Sequence, residues 1–337
     1  MTLIFLMLSN FFSLSIFPKT SLSFLTIQHQ MITKSNLLII NEERDSVLFT
    51  KEWERWYEWL KDYFNITLVN VNDILFQDNS HDTNIFIKQW KDFVDIESFN
   101  FQAVIPFLTY DFNDFIFTML DAFEKKWIFV LNKKVFGKFT KINGYRLLKE
   151  IGYGHRIIPN YFWFNGDSFH LSVLKWLFEK TQWKFLMKWN DWYGWEFVLN
   201  QDMFLKSSRK SSYKKSAWVF QKYIENNGDI RVLVAGDWVF AYKRKRVDTK
   251  SLVNNISQWW VRESFDIPQS MKEEVLDITK KLWWDYLGFD YILDEKTQEW
   301  YILELNETAM GTKGLIESFG VNPYTHLAEH IYTQISN

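Results

Sequence analysis

Three oxygen-bearing side chains near the C terminus, Asp290, Glu304 and Asn306, have the types and spacing to hold a hard divalent cation. They lie in LGFDYILDEKTQEWYILELNET (287–308), which reads as two apolar strands, Leu287–Leu293 and Trp300–Leu305, around a polar loop at Glu295–Glu299. That loop length predicts Asp294 opposite Trp300, and hence Asp290 opposite Glu304. Alternation along the second strand would put Ile302, Glu304 and Asn306 on one face. A carboxylate and an amide at the end of an apolar strand are costly to bury without a partner. Two carboxylates and an amide oxygen suit Mg²⁺, which takes one or two carboxylates and leaves its other positions to water and phosphate. The bland alternative is a solvated hairpin whose acidic residues face water.

Stepping outward along the chain, GFD, then ELN ending a strand, then a small-residue turn (Thr308, Ala309, Gly311) and GLIESFGVN resemble the metal site of ATP-grasp ligases. The pattern is most similar to the RimK-like glutamate ligases, with glutathione-synthetase-like enzymes near them. The resemblance implies an ATP-grasp fold of the α/β (α+β) class: an N-terminal open α/β domain, then two α+β subdomains clasping ATP. It implies that Asp290, Glu304 and Asn306 carry the Mg²⁺ of Mg-ATP, with Mn²⁺ as the alternative ion. The similarity runs from about residue 31 to the C terminus and is dense over 127–321.

The elements that must bring nucleotide to this metal follow from the same resemblance. A helix expected over Lys138–Ile151 carries Lys141 in the place of a phosphate-binding lysine; on a lone helix it would read as a solvated cation. A strand delivers Lys188, and a loop containing Gly194 separates it from a second strand near Phe197. Bare backbone in such a loop lets successive N–H groups approach phosphate oxygens. The stretch VFQKYIENNGDIRVLV matches the family's hinge, so backbone groups of Lys222, Tyr223 and Ile224 would meet the adenine edge. The family usually has Glu at the place of Lys222. Asp229 and Arg231 would bind nucleotide, as would Asn255 in NNISQWW. In the basic run 243–246, Arg244 and Arg246 are the choices for stabilising charge on the transferring phosphoryl group. SSRKSSYKK (207–215) reads as a solvated basic connector, with a mobile lid segment as the alternative.

Ahead of these motifs, the chain alternates strand and helix: a strand at Asn36–Asn41, a helix over Lys51–Phe64, strands at Ile66–Val71 and Ala103–Leu108, and a helix over Asn113–Lys125. Such alternation predicts an open parallel sheet. The expected division is residues 1–30 outside the fold as a leader or mis-called start, 31–125 as the N-terminal domain, and 126–337 as the ATP-grasp domain. Within the last, the lid would span about 160–222 and the metal-site subdomain about 223–337.

Composition bounds the rest. Lys+Arg 39 against Asp+Glu 41 leaves a net charge of −2, so no basic field argues for nucleic acid. The apolar run Leu3–Leu8 is too short to span a bilayer. No cysteine is present, which excludes thiolate chemistry and suits a cytoplasmic setting. The six histidines have no metal-ligand spacing. A homo-oligomer stays open.

Glycine and tryptophan are both abnormal. There are 12 glycines and 18 tryptophans in 337 residues, where glycine alone normally supplies about 7% of a chain. Trp59, Trp127, Trp192, Trp195, Trp238, Trp259, Trp260, Trp283 and Trp284 stand where turns and phosphate contacts call for glycine. Trp238 is expected at a hairpin tip with positive φ. One reading is that many are glycine in the natural protein, encoded by UGA; the other is an aromatic-rich surface that stacks on sugars or bases. With glycine restored, the resemblance implies ATP-dependent carboxylate–amine ligation through an acylphosphate, adding glutamate or another amino acid to a peptide or protein, with a small amino-acid ligase as the near alternative. With genuine indoles, the alternatives are an inactive nucleotide-binding module or an aromatic-rich binding protein.

Overall fold

The computed structural model describes residues 34–41, 58–78, 83–107, 114–132, 140–164, 175–179, 184–189, 195–198, 217–246, 260–306 and 312–336. Lys34–Asn337 forms a single contact unit. Its first sheet is parallel, in the order β2-β1-β6-β7, from β1 (Ser35–Asn41), β2 (Phe64–Asn70), β6 (Phe101–Phe107) and β7 (Phe129–Val130). The continuous apolar run of β1 is what a strand covered on both faces requires. Leu37 and Ile39 pack with Leu315, Leu327 and Ile331 near the C terminus. Leu38 and Ile40 face the opposite way, onto α1 (Asp114–Lys125) through Met119, Leu120 and Phe123.

Between β2 and β6 the chain forms an antiparallel meander, β3 (Ile74–Asp78), β4 (Thr83–Gln89) and β5 (Asp92–Asp95). Its alternating Thr83, Ile85 and Ile87 point inward. No long periodic apolar pattern in the sequence marks these short strands. The expected helix over Lys51–Phe64 is helical at 58–60 within the described residues, and Phe64 already belongs to β2.

Helix α2 (Lys141–Glu150) starts at the Thr140 cap, whose hydroxyl accepts the Asn143 N–H, three residues after the expected start. The second antiparallel sheet has the order β10-β9-β11-β8, from β8 (Asn160–Phe164), β9 (Phe185–Trp189), β10 (Trp195–Val198) and β11 (Ala217–Lys222). The third is β14-β13-β12-β15-β16, from β12 (Asp229–Ala235), β13 (Trp238–Arg246), β14 (Trp260–Ser264), β15 (Tyr286–Leu293) and β16 (Trp300–Asn306). Helix α3 (Gln269–Leu282) seals it with Met271, Val275, Ile278 and Leu282, spaced for one helical face. Helices α4 (Thr312–Phe319) and α5 (Pro323–Ser336) close the chain. No described helix is long and apolar enough to cross a membrane.

Several tryptophans occupy positions that glycine fills elsewhere in this same chain. Helix α2 ends at Gly152, φ 92°, with the Tyr153 N–H returning to Leu148. Helices α1 and α3 end in the same hydrogen-bond pattern, but with Trp127 at φ 60° and Trp283 at φ 58°. In the two-residue turn between β12 and β13, Gly236 takes the left-handed position, φ 57°. In the matching turn between β4 and β5 that position is Trp90, φ 58° and 98% exposed. Of the six non-glycine residues with positive φ among the described residues, three are tryptophan. The expectation fails at Trp238, because Gly236 already supplies the turn; Trp238 is a strand residue stacked on His326 at 4.4 Å. Trp284 is likewise a core residue. Trp192 and Trp259 lie outside the described residues.

Candidate active site

The carboxylate pair sits on neighbouring strands, and a bulge puts it there. Leu293 pairs with Trp300, one residue off the expected Asp294, and the register runs regularly to Tyr291 opposite Ile302. It then skips Leu303, so Asp290 faces Glu304 and Gly288 faces Asn306. The bulge also breaks the strand's alternation. Ile302 turns into the core with Leu305 rather than sharing a face with Glu304, a correction to the sequence reading. Asp290, Glu304 and Asn306 nonetheless meet: Asn306 Nδ2 lies 3.5 Å from Asp290 Oδ2.

Cations surround this trio. Strand β12 sets Arg231 beside Asp290, and strand β13 sets Arg244 beside Asp229. Arg244 binds Asp229 through two bonds of 2.6 and 2.7 Å and reaches Asp290 Oδ1 at 3.0 Å. Arg231 pairs with Asp290 through Nε and, at 3.1 Å, through Nη2. All four are buried. Burial raises the Asp290 pKa, but Arg231 and Arg244 outweigh it and hold the carboxyl below the usual range. For Asp229, burial prevails over Arg244 and the pKa is raised. Gly228 makes the close approach to β13 possible, since a Cβ there would lie 2.1 Å from the Arg244 carbonyl.

Two lysines enter from other elements. Lys141, the first residue of α2, has Nζ 3.8 Å from Glu304 Oε1. Lys188 on β9 is 7% exposed and donates to Gln221 Oε1 at 2.6 Å. Burial, only partly offset by Glu304 and reinforced by Lys141, lowers its pKa to about 8. At the hinge, the N–H groups of Lys222 and Tyr223 bond to the Pro159 and Lys184 carbonyls, and the Ile224 carbonyl accepts Asn226 Nδ2. The protein itself uses those groups, which narrows the adenine contacts the hinge can make. Arg246 ends β13 opposite Trp260. Gly194 and Asn255 lie outside the described residues.

Two members of the cluster, Tyr145 and Gln221, carried no signal in the sequence. Tyr145 donates to the Leu303 carbonyl at 2.8 Å and accepts from Gln221 Nε2 at 2.9 Å. Burial, then the nearby Glu304, raises the Tyr145 pKa well above its ordinary value.

Three carboxylates, an amide and four basic side chains thus converge from β9, α2, β12, β13, β15 and β16. The donor set fits a hard, oxygen-seeking ion, and the cations fit a polyphosphate. Residues 193–331 match the RimK-like ATP-grasp domain family. The match covers less than half of the chain, and over that stretch the chain is similar to RimK-like ATP-grasp domains. The match supports an ATP-dependent ligase. The ATP-grasp ligase PsnB complexed with minimal precursor, Mg and ADP superposes with a TM-score of 0.64 at 14% identity, over 89% of this chain and 97% of that one. The macrocyclase MdnC bound with precursor peptide MdnA, from Microcystis aeruginosa MRC, gives 0.63 at 12% identity, over 89% and 100%. D-alanine–D-alanine ligase from Bacillus anthracis complexed with ATP gives 0.58 at 13%, over 90% and 99%. At these identities the ATP-grasp likeness is one of fold. No curated protein matches the sequence.

Proposed function

We propose that this ATP-grasp chain joins a carboxylate to an amine on a peptide or protein substrate. The observation that carries the reading is the meeting of Asp290, Glu304 and Asn306 with Lys141 and Lys188, which arrive from separate elements. A carboxylate oxygen of the substrate attacks the ATP γ-phosphorus, ADP leaves, and an acylphosphate forms. An amine nitrogen then attacks the acyl carbon, phosphate leaves, and the nitrogen gives up a proton to yield an amide. Asp290, Glu304 and Asn306 would hold Mg²⁺, which supplies charge neutralisation of the phosphates when bound. Lys141 and Lys188 bind and orient phosphate oxygens, while Arg231 and Arg244 set the position and charge of Asp290. No protein nucleophile is needed, because positioning and electrostatics lower the barrier. A peptide acceptor is supported by the two structural neighbours described with precursor peptides. A free amino acid is the second reading, favoured by the likeness to D-alanine–D-alanine ligase. ADP release measured over a panel of peptides and amino acids separates them: a rise with peptides alone supports the first, and a rise with amino acids alone overturns it.

We further infer that Trp90, Trp127 and Trp283 are glycine in the natural protein, read from UGA codons. Bulky residues in the left-handed region are outliers, and glycine fills the equivalent helix end and turn at Gly152 and Gly236. The same substitution at Trp192 and Trp195, which flank Gly194, would give the phosphate loop its bare backbone. Peptide masses from the native protein decide the matter: glycine is expected at positions 90, 127 and 283, and UGG codons there would end the idea.

A further inference from the structure

The bulge that pairs Asp290 with Glu304 leaves the Leu303 carbonyl to be satisfied, and the Tyr145 hydroxyl takes it. That hydroxyl also accepts Gln221 Nε2, and Gln221 Oε1 accepts the Lys188 amine. The chain Leu303–Tyr145–Gln221–Lys188 therefore crosses four elements, β16, α2, β11 and β9, with Gln221 fully buried and Tyr145 nearly so. Each of its polar groups has a partner inside the protein, which a buried network requires if it is to fix one geometry. Tyr145 stands one helical turn after Lys141, on the same face of α2. It lines the same small pocket as Lys141 and Glu304. One hydroxyl thus holds the metal strand, the helix that presents Lys141 and the sheet that presents Lys188.

We propose that Tyr145 and Gln221 are positioning residues, whose bridge fixes the Lys188 amine relative to the bulged strand that bears Glu304 and Asn306. The proposal rests on the ligase reading, in that Lys188 and Glu304 are taken to meet the phosphates and their metal. Its function is registration. Among the described residues the β8–β11 sheet and β16 have no strand pairing with each other beyond the single bridge of Ile157, ahead of β8, to Ile302, and the Tyr145–Gln221 bridge joins them through side chains. A hydroxyl that merely satisfied a bulge carbonyl would affect stability and nothing else.

The test uses the full-length natural protein and Mg-ADP, a probe that needs no acceptor. Tyr145→Phe keeps the ring and removes both bonds; Gln221→Met removes the link to Lys188 at similar volume. Tyr153→Phe is the control, since its hydroxyl donates to Asp277 on α3 at 2.6 Å. Calorimetric Kd for Mg-ADP, KM for ATP, kcat and Tm are measured on each. Leaving a buried partner unpaired should weaken Mg-ADP binding about tenfold in each bridge variant. The double variant should be no worse than the weaker single, because both break one bridge. Tyr153→Phe should lower Tm without changing Kd. Should Tyr145→Phe fail to fold, Gln221→Met alone reads the same quantity. A Kd within about twofold of the parent in the bridge variants, or an equal loss in Tyr153→Phe, overturns the proposal. A parent that binds Mg-ADP but ligates nothing removes the ligase reading and leaves the bridge to be judged on Kd. A parent that binds no nucleotide removes both.

Discussion

At the scale of single residues, the site is a balance of buried charges, and its response to substitution follows from which charge is removed. Glu304→Gln keeps shape and hydrogen bonding but removes one of two carboxylates facing the metal position, so ATP turnover should fall to background with the fold intact. Asn306→Asp keeps an oxygen ligand and adds charge, and should be the milder change. Phosphate release beside a circular-dichroism melt checks both; a Glu304→Gln chain turning over ATP at the parental rate would reduce the hairpin to a solvated strand end. Lys188 gives a pH signature. Its pKa of about 8 means the amine is charged below that pH and neutral above it. Nucleotide affinity should therefore decline as pH rises through 8, by up to about tenfold per unit, and Lys188→Met should flatten the profile. Affinity independent of pH between 7 and 9 in the parent would remove Lys188 from the phosphates. The meeting of Asp290, Glu304 and Asn306 was legible because each sits in a local pattern, and so were Lys141 and Lys188 as members of the cluster. Tyr145 and Gln221 were not legible, since their meaning lies in partners far along the chain, at Leu303 and Lys188.

At the scale of elements, local pattern carried far, and it failed where backbone geometry departs from the regular. Helix α3 turns Met271, Val275, Ile278 and Leu282, at regular helical spacing, into the core. The β15–β16 pairing was readable in its outcome, Asp290 opposite Glu304, though not in its route, because a bulge adds a residue that alternation cannot show. The meander β3–β5 went unseen because its strands are short and interrupted by polar residues. Helix ends supply a direct test of the tryptophans. Trp127 and Trp283 are 95% and 67% exposed and hold left-handed backbone, so each pays strain for little burial. Trp127→Gly and Trp283→Gly should each stabilise the chain by about 1 kcal/mol. Trp284→Gly, next to Trp283 in sequence but buried in the core, should destabilise it by about 3 kcal/mol or more. Chemical denaturation of the three variants checks this, and destabilisation at 127 and 283 as well would mean those indoles pack.

At the scale of the molecule, two sheets and α2 bring their charged residues to one place while the parallel sheet shares its core with the C-terminal helices. The ATP-grasp architecture was legible because its motifs recur in order along the chain. The substrate was not, because the residues that would select it belong to surfaces without a sequence pattern. The measurement that bears most directly on the central claim is acceptor-dependent ATP cleavage with mass analysis of the acceptor. The chain and its Glu304→Gln variant are incubated with Mg-ATP and a panel of peptides carrying free carboxylates and amines. The account predicts ADP release that rises with one class of peptide, an amide-forming mass change in that peptide, and neither in the variant. ADP release indifferent to every acceptor, or equal in Glu304→Gln, would contradict it.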